Sequence, residues 1–393
     1  MNRNDFPMLN KDLIYFDNAA TTFKPQIVID RINKYYINQS VNINRSDYDL
    51  SQELSTEIEK IRTQVKNFIH AEDSKEIIFT SGGTHSLNMV VFGFCASYLK
   101  PGDEVLTTET EHASLVLPFF ELAETNQIKV NYIDLDKNNE VVLENVKKAI
   151  TPKTKVIALA HITNVIGDVR PLQEIIEYAH LHNILVIIDG AQSISHLKVD
   201  VKQLDVDFYA FSGHKMMGPT GIGILYGKYN LLEQMKPLIL GGGVSATFQK
   251  EGQYLLKNIP EKFEAGTQNL SGILGLGSAI EYLEKNRDEV YLQKLKKYAL
   301  SKMKEISQIK IYNEYSKGPI IIFNVNNVFS QDTAIYLSKK KIAIRSGNHC
   351  AKLLNNLGLN NTCRLSLYFY NTKEEIDSLI KALNNENILE ESL

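Results

Sequence analysis

The chain has 393 residues, 44% hydrophobic and 23% charged, with a formal net charge of −3, so it can bury a large core and, by length, hold about two or three domains. Its charge balance leaves no basic footprint for nucleic acid and no acidic tail, no apolar run is long enough to span a bilayer, and three cysteines (Cys95, Cys350, Cys363) make no disulfide framework. With no signal-type apolar core near Met1 to Leu9, a cytoplasmic protein without nucleic-acid or membrane partners is expected.

From residue 76 onward short β-rich runs recur, at 76–80, 104–107, 129–133, 156–160, 185–189, 208–212 and 222–226, with helical patterns between several of them. One helix is expected over 86–99, with Leu87, Val90, Val91, Phe94 and Cys95 on one face, and another over 172–182. Continuous apolar strands alternating with helices predict an α/β fold, a mostly parallel seven-stranded sheet sandwiched by helices. Ligands in such folds bind beyond the carboxyl ends of the strands.

Gly241-Gly242-Gly243 reads as a linker into a less regular region to Glu264. One long helix is expected over about 273–304, then a strand at 320–325, a helix at 333–340, strands at 342–345 and 364–368, and a last helix opening at Thr372, whose Glu375 fits a capping box. The expected division is a large domain over 18–265 and a small α+β domain over 266–393, joined by the N-terminal segment 1–17.

The chemistry sits at strand ends. Ser212-Gly213-His214-Lys215 follows one apolar run and Asp189-Gly190-Ala191-Gln192 ends another. Alone, each has a plain alternative, a surface charge or a capped turn. Together they supply what pyridoxal phosphate needs: an amine for a Schiff base and a carboxylate to keep the ring nitrogen protonated. Ser81-Gly82-Gly83-Thr84, between a strand and a helix, offers backbone N–H groups and a hydroxyl to a phosphate. His112 follows a strand and could stack on the ring and move protons. Asn164, also after a strand, could donate to the phenolic oxygen of the cofactor.

These motifs, with Tyr15-Phe16-Asp17-Asn18-Ala19-Ala20, Glu111-His112, Thr163-Asn164-Val165, Phe263-Glu264-Ala265-Gly266-Thr267, Arg345-Ser346-Gly347-Asn348-His349-Cys350-Ala351 and Cys363-Arg364, give a resemblance that runs nearly end to end. The chain resembles the fold-type I pyridoxal phosphate enzymes of the class V aminotransferase group, and within it the SufS-type (group II) cysteine desulfurases. The resemblance implies that Lys215, Cys350 and His112 are catalytic. It implies cofactor contacts from Gly83, Thr84, His112, Asn164, Asp189, Gln192, Ser212, His214, Lys215 and Thr267, the last reaching the cofactor of a partner subunit in a homodimer. It further implies substrate contacts from Arg364, Asn164 and Ala20, with Arg364 gripping the α-carboxylate bidentately.

The implied reaction converts L-cysteine to L-alanine and leaves sulfur on Cys350 as a persulfide, for an acceptor protein of iron–sulfur cluster assembly. No metal site is expected. A thiolate is the competent nucleophile, and Arg345 would favour it; Cys95 and Cys363 read as structural. Departures from the family pattern fall at Asn44-Arg45-Ser46-Asp47-Tyr48, Gly83, His85, Ala113, Gln331 and Asn348. The rival readings are selenocysteine lyase activity, another aminotransferase-type lyase, and a non-catalytic scaffold for sulfur-transfer partners.

Overall fold

The computed structural model describes residues 2–43 and 47–392; the departure at Asn44, Arg45 and Ser46 lies outside them. Seven strands form the principal sheet: β1 (Ile77–Thr80), β2 (Glu104–Thr107), β3 (Lys129–Tyr132), β4 (Thr154–Ala160), β5 (Leu185–Asp189), β6 (Phe208–Ser212) and β7 (Gly223–Gly227), in the spatial order β1-β7-β6-β5-β4-β2-β3. Strands β3, β2, β4, β5 and β6 run parallel, while β7 is antiparallel to both its neighbours.

Both faces of this sheet are covered, and the sequence shows how. Along β4, Ile157 and Leu159 enter one apolar cluster while Val156 and Ala158 enter the other. The same alternation runs through Tyr209 and Phe211 against Phe208 and Ala210 in β6. Successive side chains on a strand point to opposite faces, so a strand buried on both reads as one unbroken apolar run.

A second, four-stranded antiparallel sheet is built from β8 (Ile309–Ile311), β9 (Ile320–Val325), β10 (Arg345–Gly347) and β11 (Thr362–Ser366), in the order β8-β9-β11-β10. The N-terminal segment is stitched to it: Ile14–Tyr15 pairs in parallel with Ile342–Ala343, and Asp17 bridges to Ser366. Among the described residues no helix is long and apolar enough to cross a membrane.

Several expected elements differ in detail. The helix expected over 86–99 begins at Gly83, where Gly83 N donates to Ser212 Oγ at 2.7 Å, and is π-wound over Met89–Cys95. The long helix expected over 273–304 is two helices, Leu270–Asn286 and Glu289–Lys304. Asp288 caps the second by accepting from Tyr291 N at 2.8 Å, and Arg287 turns its guanidinium onto the Ile194 and Leu197 carbonyls. The expected strand over 342–345 is likewise split, because its first half pairs with the N-terminal segment and its second with β11. The irregular region before Glu264 contains a hairpin, Ser245–Phe248 with Tyr254–Leu256. The last helix, Lys373–Leu383, has the expected Thr372–Glu375 capping box.

Candidate active site

A cavity of about 190 Å³ opens beyond the carboxyl ends of β5 and β6. It is lined by Ala20, Gly83, Thr84, His112, Asn164, Asp189, Ser212, His214, Lys215, Cys350 and Arg364, all expected from the sequence, and also by Ser114, Arg345 and His349.

Asp189 ends β5 and is buried; its Oδ1 accepts from Ala191 N at 2.9 Å. Burial raises its carboxyl pKa, and the Lys215 amine opposes that rise. Burial likewise lowers the Lys215 pKa, with Asp189 as the opposing influence. Each group is therefore the other's main electrostatic support in a place that disfavours charge. Gly190 is required next to Asp189, since a Cβ there would lie 1.9 Å from the Tyr209 ring. Tyr209 is itself fixed from beneath by Ser193 Oγ at 2.6 Å and His161 Nδ1 at 3.0 Å.

The turn bearing Lys215 is fixed through the carbonyl of His214. That oxygen accepts from Thr22 N (3.1 Å), Thr21 Oγ1 (3.1 Å), Thr22 Oγ1 (3.2 Å) and Lys24 Nζ (3.4 Å). Thr22 Oγ1 also accepts from Met217 N at 2.8 Å, so one short N-terminal stretch ties both sides of the turn.

His112 caps the helix Ala113–Asn126, its Nδ1 accepting from Ser114 N at 3.1 Å. An Nδ1 that accepts leaves the proton of the neutral ring on Nε2. Burial pushes the imidazole down to about 4, reinforced by Lys215, Arg364 and Arg345, so it is neutral near pH 7. Beneath it, Glu111 and Arg170 form a wholly buried ion pair. Arg170 Nη2 also donates to Thr108 Oγ1 (3.0 Å) and Thr110 Oγ1 (2.9 Å), and Glu111 Oε2 accepts from Ala160 N at 2.9 Å. The loop that presents His112 is thus bolted to β4.

The remaining wall comes from the second sheet. Arg364, on β11, is 1% exposed; its Nη1 donates to the Asn164 carbonyl at 3.0 Å and its Nη2 to Asp17 Oδ1 at 2.8 Å. Cys350 is exposed, with Arg345 Nη2 at 3.7 Å from its sulfur. His349 and Cys350 both adopt left-handed backbone, φ 51° and 61°, which costs on the order of 1 kcal/mol for residues bearing a Cβ. The turn is held by hydrogen bonds from Ala113 N to the Cys350 carbonyl (2.8 Å), from Asn164 Nδ2 to the His349 carbonyl (2.8 Å), from Asn361 N to Asn348 Oδ1 (3.1 Å) and between His349 Nε2 and Thr362 (3.0 Å). Asn348, a departure from the family pattern, is therefore a loop fastener. Ala113, another, serves through its backbone alone.

Two expected cofactor contacts do not line this cavity. Gln192 lies in the wall behind it, spending its amide on the Ala19 carbonyl at 2.8 Å. Thr267 is exposed and lines a separate cavity with Arg62, Gly243 and Glu264. Cys95 and Cys363 are buried, and burial raises both thiols, Cys363 to about 12.

The residues fit pyridoxal phosphate. An amine and a carboxylate meet at one side of the cavity, and the cradle at Gly83 is so close that a Cβ would come within 3.1 Å of Ser212 Oγ. Asn164 Oδ1 and Arg364 Nε are buried without a protein partner, an acceptor and a donor left for a ligand.

A model of the Aminotransferase class-V family matches residues 14–379. Among curated relatives, a probable cysteine desulfurase of Halalkalibacterium halodurans is 40% identical over 387 residues, covering 96% of this chain and 95% of that protein. One from Vibrio cholerae is 39% identical, with 97% and 96% covered. Among solved structures, the cysteine desulfurase CsdA of Escherichia coli, in an S-sulfonic acid form, superposes with a TM-score of 0.91 at 35% identity, covering 99% of this chain and 97% of that one. The architecture is that of the fold-type I pyridoxal phosphate transferases.

Proposed function

Because the chain belongs to the Aminotransferase class-V family, we propose that it is a pyridoxal-phosphate-dependent cysteine desulfurase, releasing L-alanine from L-cysteine and keeping the sulfur on Cys350. The observation that carries this reading is the meeting of Lys215, Asp189, Arg364 and the exposed Cys350 around one cavity. The first two serve a cofactor, the third a carboxylate, the fourth sulfur.

Pyridoxal phosphate, when bound, withdraws electrons from the substrate Cα. Lys215 holds it and moves the Cα proton, a task suited to an amine whose pKa burial has lowered. Asp189 holds a proton at the ring nitrogen. Gly83, Thr84, Ser212 and His214 bind the phosphate. Arg364 receives the α-carboxylate through donors not taken by Asn164 and Asp17. His112 offers a proton from Nε2. Cys350 Sγ then forms a bond to the substrate sulfur as the substrate Cβ–S bond breaks. The electrons of that bond stay with carbon, which takes up a proton, so L-cysteine and one thiol become L-alanine and one persulfide.

We assign the short cysteine loop to the group II type, and read the chain as one protomer of a homodimer in which Thr267 completes the partner's site. The large unit over 18–265 and the small one over 266–393 are proposed as its domains. The persulfide goes to an acceptor protein of iron–sulfur cluster assembly. Mass spectrometry of the cysteine-treated protein tests the reading: one added sulfur atom on the peptide containing Cys350, matched by alanine. Alanine formed with that peptide unchanged would sink it.

A further inference from the structure

Arg364 is placed among the largest wholly buried side chains of the molecule, and a buried guanidinium requires an anion within reach. That anion is Asp17, whose Oδ1 accepts from Arg364 Nη2 at 2.8 Å although 347 residues separate the two. Asp17 does not line the cavity. It stands at the head of the strip that supplies Ala19 and Ala20 to the cavity wall. Its backbone is fixed: its carbonyl accepts from Tyr15 Oη at 3.0 Å and from Ala20 N at 3.1 Å.

The guanidinium has five N–H donors in a rigid plane. Asp17 takes one, the Asn164 carbonyl takes another, and Nε remains buried and unpartnered. Two acceptors, a carboxylate oxygen carried by a tied stretch of backbone and a main-chain carbonyl, define the plane of the fork and leave its remaining donors for a ligand.

We propose that Asp17 is a positioning residue for substrate recognition: its carboxylate fixes the Arg364 fork in the plane that accepts the α-carboxylate of the amino acid. It acts through Arg364 and touches no reacting atom. The proposal rests on the reading of Arg364 as the carboxylate clamp. A planar fork aligned in advance loses less freedom on binding, so the loss of Asp17 falls on affinity rather than on chemistry.

The test uses the holoenzyme. Asp17→Asn keeps the shape and an acceptor oxygen but loses the charge, Asp17→Ala loses both, and Asp17→Glu keeps the charge on a longer arm. KM for L-cysteine is expected to rise about tenfold in Asp17→Asn and by up to about a hundredfold in Asp17→Ala, the range of one charge-assisted hydrogen bond. Turnover at saturation should stay within about twofold, and Asp17→Glu should recover part of the loss. Titration with L-alanine, followed by the absorbance of the bound cofactor, should give the same ranking without turnover. An unchanged KM and alanine affinity in Asp17→Asn, or a fall confined to turnover, would overturn the proposal. Arg364→Lys separates the two readings: if it too leaves KM unchanged, the clamp itself is wrong, whereas a raised KM there with none in Asp17→Asn rejects Asp17 alone.

Discussion

The two walls of the cavity are built by different means. Asp189 and Ser212 are the last residues of β5 and β6, and Lys215 follows within one turn; the parallel ladder sets their spacing, and the side chains beneath them are packed. Cys350 and its neighbours lie between two strands of the second sheet. They are located by single hydrogen bonds from Ala113, Asn164 and Asn361 and by the His349 imidazole against Thr362 at the start of β11. Under the proposed reaction the contrast is a division of labour: the groups assigned to a ring sit on the rigid lattice, and the group assigned to take and yield an atom sits on a fastened loop.

The largest expected effect separates the walls directly. Lys215→Ala should abolish the visible absorbance of bound cofactor and reduce alanine formation by at least about 10²–10⁴-fold. Cys350→Ala should leave that absorbance intact while losing sulfur release from cysteine. A Lys215→Ala protein that makes alanine at the wild-type rate, or a Cys350→Ala protein that has lost its cofactor, would erase the distinction.

Stability should sharpen it further. Glu111→Gln leaves buried Arg170 with Asp168, at 3.3 Å from its Nε, as its remaining carboxylate, and the loss of a buried charge-assisted hydrogen bond costs about 1.5–3 kcal/mol. The thermal midpoint should therefore fall by several degrees, and His112 should lose its fixed position with it. Asn348→Ala, on the fastened loop, removes one hydrogen bond of about 1 kcal/mol and should leave the midpoint nearly unchanged. Equal losses from the two substitutions, measured by calorimetry, would refute the contrast in rigidity.

The smallest effect is with pH. Burial holds His161 at about 4 and His196 at about 3, below the ordinary value near 6.5. The unfolded chain binds more protons between those values, so the contribution of these two imidazoles to stability should decline as pH falls from about 6.5 towards 5, by on the order of 1 kcal/mol each, and be flat above about 7. His161→Gln should flatten part of that slope in denaturant titrations. A slope unchanged by this substitution would mean that His161 does not titrate as its burial requires.

The rigid wall was legible in the sequence for a physical reason. A strand buried on both faces is an unbroken apolar run, and a charged residue at its end has only the crevice to enter. Asp189 and Lys215 could be read that way. Asp17 could not, because its partner is 347 residues distant, and neither could the pairing of Glu111 with Arg170, which lie 59 apart. Contacts of that kind are fixed by which distant segments a sheet brings side by side, for which local pattern has no signal. Gln192 follows Asp189 closely in sequence, and its amide donates to the Ala19 carbonyl, another contact between distant segments that local pattern does not show.

The carbonyls of His349 and Cys350 are both moored, one to Asn164 and the other to the first turn after His112. Tethered at two successive peptide units, the chain presents its exposed thiol at one place on the cavity rim. A reagent can therefore meet that sulfur at the rim without the thiol having to travel.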